Sequence, residues 1–423
     1  MSGDMTVLRE GKMRAKTFAP LAAAVAAIVL VTGCSSTSEG QANAESESGG
    51  SATVAAQGAA PGEMDPGTYR TTPQAGFGTV TSVNSGRYVE GQRMAEFVVL
   101  PTELDPLLTG PVGMSTYVIK SGTALSVLLT GKSPDIAERE GMLTGFSTSR
   151  SYEDKKADKS IVHAVLRFPD AESAQRAAAG MSADDALPSE YLPGGVPTSI
   201  DILPDTLTTT RENSDGTFSS NSFTPHGQYI IYTWASAPIT EKDWTAQITA
   251  KALEQQGPMI DKFPATAADK FAELPMDIDN VLVLTIPEDD GNRTTSSDAV
   301  YGPRGSAHFS TNPTLTLDFM DKSDTTRMAR SGSNVYRSEN ADGAATLFDL
   351  FKGDIVDTEG FTPSANPPGV PNAACFTKDT PQGTYNYCIV HQGRYLGEIS
   401  ALDDETKVHQ MTAAQYKILE AAK

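Results

Sequence analysis

The chain is poor in cysteine, histidine, tryptophan and basic charge, and each shortage removes a class of function. Its 423 residues hold three Cys, five His and two Trp. Three thiols exclude a disulfide-dense miniprotein and a four-cysteine zinc module. His163, His226, His308, His391 and His409 are scattered singly, without H-E-x-x-H or another close ligand pair, so no bound transition metal is expected. Against 53 Asp and Glu stand 33 Lys and Arg, and a formal net charge of −20 argues against nucleic acid or an anionic lipid surface as partner. The chain also lacks S-x-x-K, G-x-S-x-G, a Walker phosphate loop and a G-x-G-x-x-G after a strand. Lys120-Ser121-Gly122-Thr123 resembles the K-T/S-G element of penicillin-recognising enzymes, but without S-x-x-K the likeness is accidental. No catalytic residue, cofactor or metal site is assigned.

What is present begins with hydrophobic residues at 39%, ample for the two or three compact units that this length implies. The first 33 residues read as an export signal: a basic stretch with Arg9, Lys12, Arg14 and Lys16, then an apolar run from Phe18 to Val31. That run is about 14 residues, short of the roughly 20 that a membrane-spanning helix needs. Val31-Thr32-Gly33-Cys34 resembles the lipobox of bacterial lipoproteins. The resemblance implies cleavage before Cys34 and diacylglycerol on its thiol, with acylation of the new amino terminus. Two or more acyl chains, at about 0.8 kcal/mol per buried methylene, make an anchor that does not leave the membrane.

Residues 34–66 continue as a Ser-, Ala- and Gly-rich stretch without aromatic or basic residues, which cannot bury enough apolar surface to order itself. As a coil of about 32 residues it reaches roughly 30 Å, a tether between membrane and folded part.

The folded part reads as a duplication, residues 67–264 and 265–423. Strand-like Ile161–Phe168 leads into the Ala-rich helix from Asp170; Ser333–Ser338 leads into the one from Ala341. Gly195-Val196-Pro197 finds a counterpart in Gly369-Val370-Pro371. His226-Gly227 and His391-Gln392-Gly393 each precede an alternating strand and a terminal helix, about 240–263 and 405–422. The expected fold is α+β: two tandem helix-on-antiparallel-sheet domains, ferredoxin-like or related. The first half has extra sequence at 98–145, punctuated by Pro101, Pro106, Pro111 and Pro134, and a segment that long invites a functional role.

Cys375 and Cys388 flank a Pro- and Gly-containing connector that suits a hairpin, which would bring the sulfurs together across two strands. In an oxidising compartment this favours a structural disulfide worth roughly 3 kcal/mol. The apolar Val281–Leu284 reads as a strand between two acidic clusters, Asp277–Asn280 and Glu288–Asn292, whose spacing fits solvated turns rather than an EF-hand.

Taken together, the lipobox ending at Cys34, Asp65–Tyr69, Tyr301–Phe309, Ser333–Arg337 and the closing strand and helix resemble a family of uncharacterised two-domain lipoproteins from mycobacteria, nocardiae and related actinobacteria. The resemblance implies an outward-facing envelope protein, membrane-bound through lipid on Cys34, and carries no catalytic residue or ligand with it. The function it suggests is non-catalytic binding of an envelope ligand or protein partner. The alternatives are an envelope hydrolase or transferase, or a scaffold between membrane and wall. Cys34→Ala should abolish incorporation of a radioactive fatty acid and release the chain from the membrane fraction; label retained by the variant would refute the anchor.

Overall fold

The computed structural model describes residues 62–112, 116–154, 157–189, 193–288 and 298–422. All belong to one compact unit, Ser46–Lys423, so the signal, Cys34 and the tether as far as residue 61 lie outside the described residues. The first half runs α1 (Val83–Met94), α2 (Pro101–Leu104), β1 (Tyr117–Ile119), α3 (Ser133–Arg139), β2 (Thr144–Ser151), β3 (Ser160–Arg167), α4 (Ala171–Asp185), β4 (Val196–Pro197), β5 (Leu207–Glu212), β6 (Thr217–His226), β7 (Tyr229–Pro238) and α5 (Asp243–Ile260). The second runs β8 (Ala299–Tyr301), α6 (Pro303–Ala307), α7 (Pro313–Lys322), β9 (Thr325–Arg330), β10 (Asn334–Ser338), α8 (Ala341–Asp357), β11 (Thr362–Ser364), β12 (Ala373–Thr380), β13 (Gly383–Gln392), β14 (Tyr395–Leu402) and α9 (Glu405–Ala421).

Each half builds one antiparallel seven-stranded sheet, β1-β2-β3-β7-β6-β5-β4 and β8-β9-β10-β14-β13-β12-β11. Counted from its own first strand, each has the order 1-2-3-7-6-5-4, with one helix between strands three and four and another after strand seven. The α+β class and the two tandem helix-on-sheet units are therefore present, with more strands than the four of a ferredoxin-like βαββαβ unit. The repeated elements have repeated causes. Asp170 caps α4 by accepting from the Ser173 N–H at 2.7 Å, and Asn340 caps α8 by accepting from Gly343 at 2.9 Å. The β6–β7 and β13–β14 turns place Gly227 and Gly393 at φ of 54° and 55°, a left-handed conformation that glycine adopts without strain.

Two expectations fail at the level of elements. Val281–Leu284 is no strand: Leu282–Leu284 is a single 3₁₀ turn, because the Asp277 carboxylate gathers the N–H groups of Val281, Leu282 and Val283 at 3.0, 2.9 and 3.0 Å. The two Gly-Val-Pro segments are not equivalent, since Val196–Pro197 forms edge strand β4 whereas Gly369–Pro371 lies in the turn between β11 and β12.

One apolar cluster runs through both halves, joining Met94, Val98, Phe146, Val165 and Phe263 to Tyr301, Phe319, Met328 and Leu396. Polar ties cross the same junction. Glu103 receives both terminal nitrogens of Arg304 at 2.7 and 2.9 Å, and Glu96 receives the backbone N–H groups of Arg304 and Gly305. Arg150 donates to the carbonyls of His308 and Ser310 at 3.1 and 2.6 Å. Within the extra sequence of the first half, α2 thus helps to join the halves through Glu103. The chain also enters through the second half: Met64, Tyr69 and Phe77 pack on the α9-side core, and Gln410 of α9 donates to Asp65 at 2.9 Å. Residues 64–66, expected in the tether, are docked.

Glu90 on α1 is fully buried and accepts from Arg167 at 2.8 Å, Arg93 at 2.5 Å and the Thr266 N–H at 2.7 Å. Removing its charge leaves the buried Arg167 and the partly exposed Arg93 uncompensated. Glu90→Gln should cost about 3 kcal/mol in urea unfolding, with both halves lost in one transition because they share a core; a variant as stable as wild type would refute the role.

Candidate functional site

Cys375 and Cys388 face each other in register on β12 and β13 and are joined as a disulfide beneath α9. A His409 ring nitrogen lies within 4.8 Å of both sulfurs. The sulfurs are bonded to one another, so neither is a thiolate available to a metal. His409 bonds the Ala365 carbonyl, His226 pairs with Asp261 at 2.7 Å near the surface, and His391 packs on Phe348. His163 and His308 are fully buried in different places; the first spans Thr233 and Gln256, the second donates to the Ala95 carbonyl. The structure brings no two of the five histidines together.

The informative feature is a difference between the duplicated halves. In the first, α4 packs across β6, β5 and β7. Its last residue, Asp185, is held there by Arg211 at 2.8 Å, by Asn221 at 3.2 Å and by the Thr209 hydroxyl. In the second, α8 packs mainly on β13, β14 and β10. The strand registers place Phe376 where Thr209 stands, Tyr387 where Asn221 stands and Lys378 where Arg211 stands. Two of the three polar clamps have become aromatic. Helix α8 sits off β11 and β12, and a groove of about 460 Å³ opens beside it. Val356, Pro363, Ala374 and Phe376 give it an apolar lining, and Asp349 and Lys352 border it from the helix. A concave, mainly apolar site with a few polar groups has the character of a small-molecule pocket.

On the strands beneath α8 the same comparison exposes a polar network. Registers put Asn334, Tyr336 and Glu398 at the positions of Ala164, Leu166 and Tyr232, which are core residues in the first half. Glu398 accepts from Tyr336 at 2.8 Å, Tyr387 at 2.7 Å and Asn334 at 3.1 Å. Burial, reinforced by the Glu398 charge, pushes both tyrosine hydroxyls well above their ordinary range. Glu359, just past α8, is raised by burial; a hydrogen bond with Thr311 opposes the shift, the Asp354 and Glu398 carboxylates reinforce it, and the Lys378 ammonium counters them. Phe361 lies 6.0 Å from Tyr385 and 5.9 Å from Tyr387. Sequence reasoning missed this network. Its one available signal was Glu398 inside an otherwise apolar, alternating strand.

Residues 77–276 match the N-terminal domain, and residues 281–422 the C-terminal domain, of a family described as a domain of unknown function, DUF7373. The chain belongs to the DUF7373 family. No curated protein matches this member of it. Among solved structures, the extracellular domain of PknH from Mycobacterium tuberculosis is similar at 13% identity and a TM-score of 0.29, over 40% of this chain and 96% of that one. No helix among the described residues is long and apolar enough to cross a membrane.

The two buried histidines set an acid limit. Burial pushes His163 down to about 4, against a hydrogen bond with Gln256, and pushes His308 down to about 3 with help from Arg150 and Arg304. An imidazole kept neutral in the fold binds its proton more readily when unfolded, so the stability it allows is fully present above about pH 6.5 and falls as pH drops toward 4. For His163 the loss is about 3 kcal/mol. Urea midpoints at pH 7.5 and 4.5 should fall less for His163→Gln than for wild type; equal losses would contradict the assignment.

Proposed function

We propose that this chain is a membrane-tethered extracytoplasmic protein that binds an envelope ligand without transforming it, and that the groove beside α8 is the ligand's seat. One observation carries the reading: α4 of the first half packs on β5, whereas α8 is offset from the equivalent strand β12 and a groove stands beside it. A fold that packs its helix over this strand in one half has no need to stand it off in the other for stability, since apolar wall left in water, as at Val356 and Pro363, forgoes about 25 cal/mol per Å². The export signal, the lipobox at Cys34 and the acidic composition support a tethered protein outside the plasma membrane. The apolar lining and small polar border suit a small amphipathic molecule.

Gly353 gives a clean test, because a side chain added there meets nothing within 4 Å and points at no backbone, while the residue borders the groove. Gly353→Trp should fill the groove and keep the helix. Native mass spectrometry of the full chain extracted from its own membranes should show a bound small molecule on wild type that is absent from the variant. Wild type without any bound mass, or a variant carrying the same mass, would sink the proposal.

A further inference from the structure

The halves differ again on the sheet face beneath the last helix of each. Gln256 on α5 and Gln415 on α9 mark equivalent positions. Each donates at 2.8 Å to a main-chain carbonyl, that of Phe97 and that of Leu284, and each accepts from a side chain at the start of the third strand, His163 and Ser333. The same spacing along the helices sets Ala250 at the position of His409, and the strand registers set Thr208 and Ser222 at those of Cys375 and Cys388. In the first half the two hydroxyls share a hydrogen bond of 3.2 Å. In the second, all three positions hold residue types that bind metals. Among the described residues, this is the one group of three or more His, Cys, Asp or Glu side chains whose ligand atoms converge, all within 4.8 Å of one another.

The disulfide accounts for two of these residues and leaves the third with the setting of a ligand. His409 donates from Nε2 to the Ala365 carbonyl at 3.0 Å, which keeps the lone pair on Nδ1, and the Glu405 carboxylate stands 3.9 Å from the same Nε2. An imidazole held on one nitrogen by a carbonyl or carboxylate is the usual outer shell of a metal-bound histidine. Ligands of one tetrahedral zinc, at about 2.3 Å for sulfur and about 2.0 Å for nitrogen, stand roughly 3.5–3.8 Å apart, so His409 has to move by about an ångström. The sulfurs are buried among Val390, Val408 and Met411, whereas the imidazole is 22% exposed, and an ion has its way in along that side.

We propose that in its dithiol state the chain binds one zinc ion through Cys375, Cys388 and His409, with water in the fourth position. A chain leaves synthesis with free thiols, so this state needs no reductant. Each thiol gives its proton to solvent as its sulfur takes the metal. Exchange with a disulfide reagent removes two electrons from the same sulfurs, turns the reagent into two thiols that take up two protons, and frees the ion. Zinc and the disulfide therefore exclude each other.

The test uses the full chain carrying Cys34→Ala, whose two remaining thiols are these, reduced with a phosphine, desalted without air and titrated with zinc against a chromogenic chelator. One ion should bind per chain, and cobalt in its place should show thiolate-to-metal charge-transfer absorption. Zinc should raise the urea midpoint of the reduced chain, which binding to unfolded chain would not do. His409→Ala, which places the first half's residue on a partly exposed helix face, should weaken zinc binding at least about tenfold while the chain stays folded. Cys388→Ser should abolish it, and the disulfide form should not bind. No ion on the reduced chain, equal affinity in the disulfide form, cobalt without thiolate absorption, an unmoved urea midpoint, or His409→Ala binding as tightly as its parent would each overturn the proposal.

Discussion

The structure depends on one buried carboxylate. Glu90 sits where α1, the end of β3 and the segment leading from the first half to the second meet, and Arg167, Arg93 and Thr266 all close on it. Arg167 also donates to the Thr266 carbonyl at 2.8 Å, so the knot fixes the course of the connecting chain as well as the helix. Such a cluster is held by mutual satisfaction: each group has been taken out of water, and the loss of any one strands the others. With the connection fixed, the apolar cluster from Met94 to Leu396 can form across both halves, and Arg150 can reach the carbonyls of His308 and Ser310. That loop leads on to Thr311, the partner of Glu359. The first half thereby bears, through that loop, on the surroundings of Glu359 in the second.

The two halves share one strand order and cover it differently. Tyr232 donates to Asn221 at 2.7 Å in the first half; at the same two positions of the second, Tyr387 donates to Glu398 at the same distance. The hydrogen bond survives with donor and acceptor exchanged between strands, and the exchange brings a charge to the face beneath the helix. Replacing Thr209 by Phe376 removes a donor that holds the first helix in place. Groove and polar network thus go with a few residue differences on β10, β12, β13 and β14, without any change of topology.

The same comparison explains what could be read from the sequence. The duplicated strand–helix order was legible because apolar alternation, helix caps and turn glycines are local signals, repeated at Ile161–Phe168 and Ser333–Ser338 and at Gly227 and Gly393. The Cys375–Cys388 pairing was legible because a two-stranded hairpin leaves few alternatives. The 3₁₀ turn at Leu282 was not, because its cause is a single side chain, Asp277, folding back on three N–H groups. Nor was the Glu398 network legible: Asn334, Tyr336, Tyr387 and Glu398 lie on three strands that only the register brings together. The offset of α8 was hidden for the same reason, being the outcome of cross-strand clamps gained in one half and lost in the other.

The docking of residues 64–80 on the second half has a mechanical side. Tension arriving along the chain from upstream of Gly62 meets the packing of Met64 and the Asp65–Gln410 contact first and then the packing of Tyr69 and Phe77 against the core beneath α9. The second half bears that load directly, and the first feels it only beyond Val80, whose N–H bonds the Leu274 carbonyl in the connecting segment. A pull strong enough to peel the strap away would bare the apolar surface around Val408 and Met411 before it disturbed the sheet of either half.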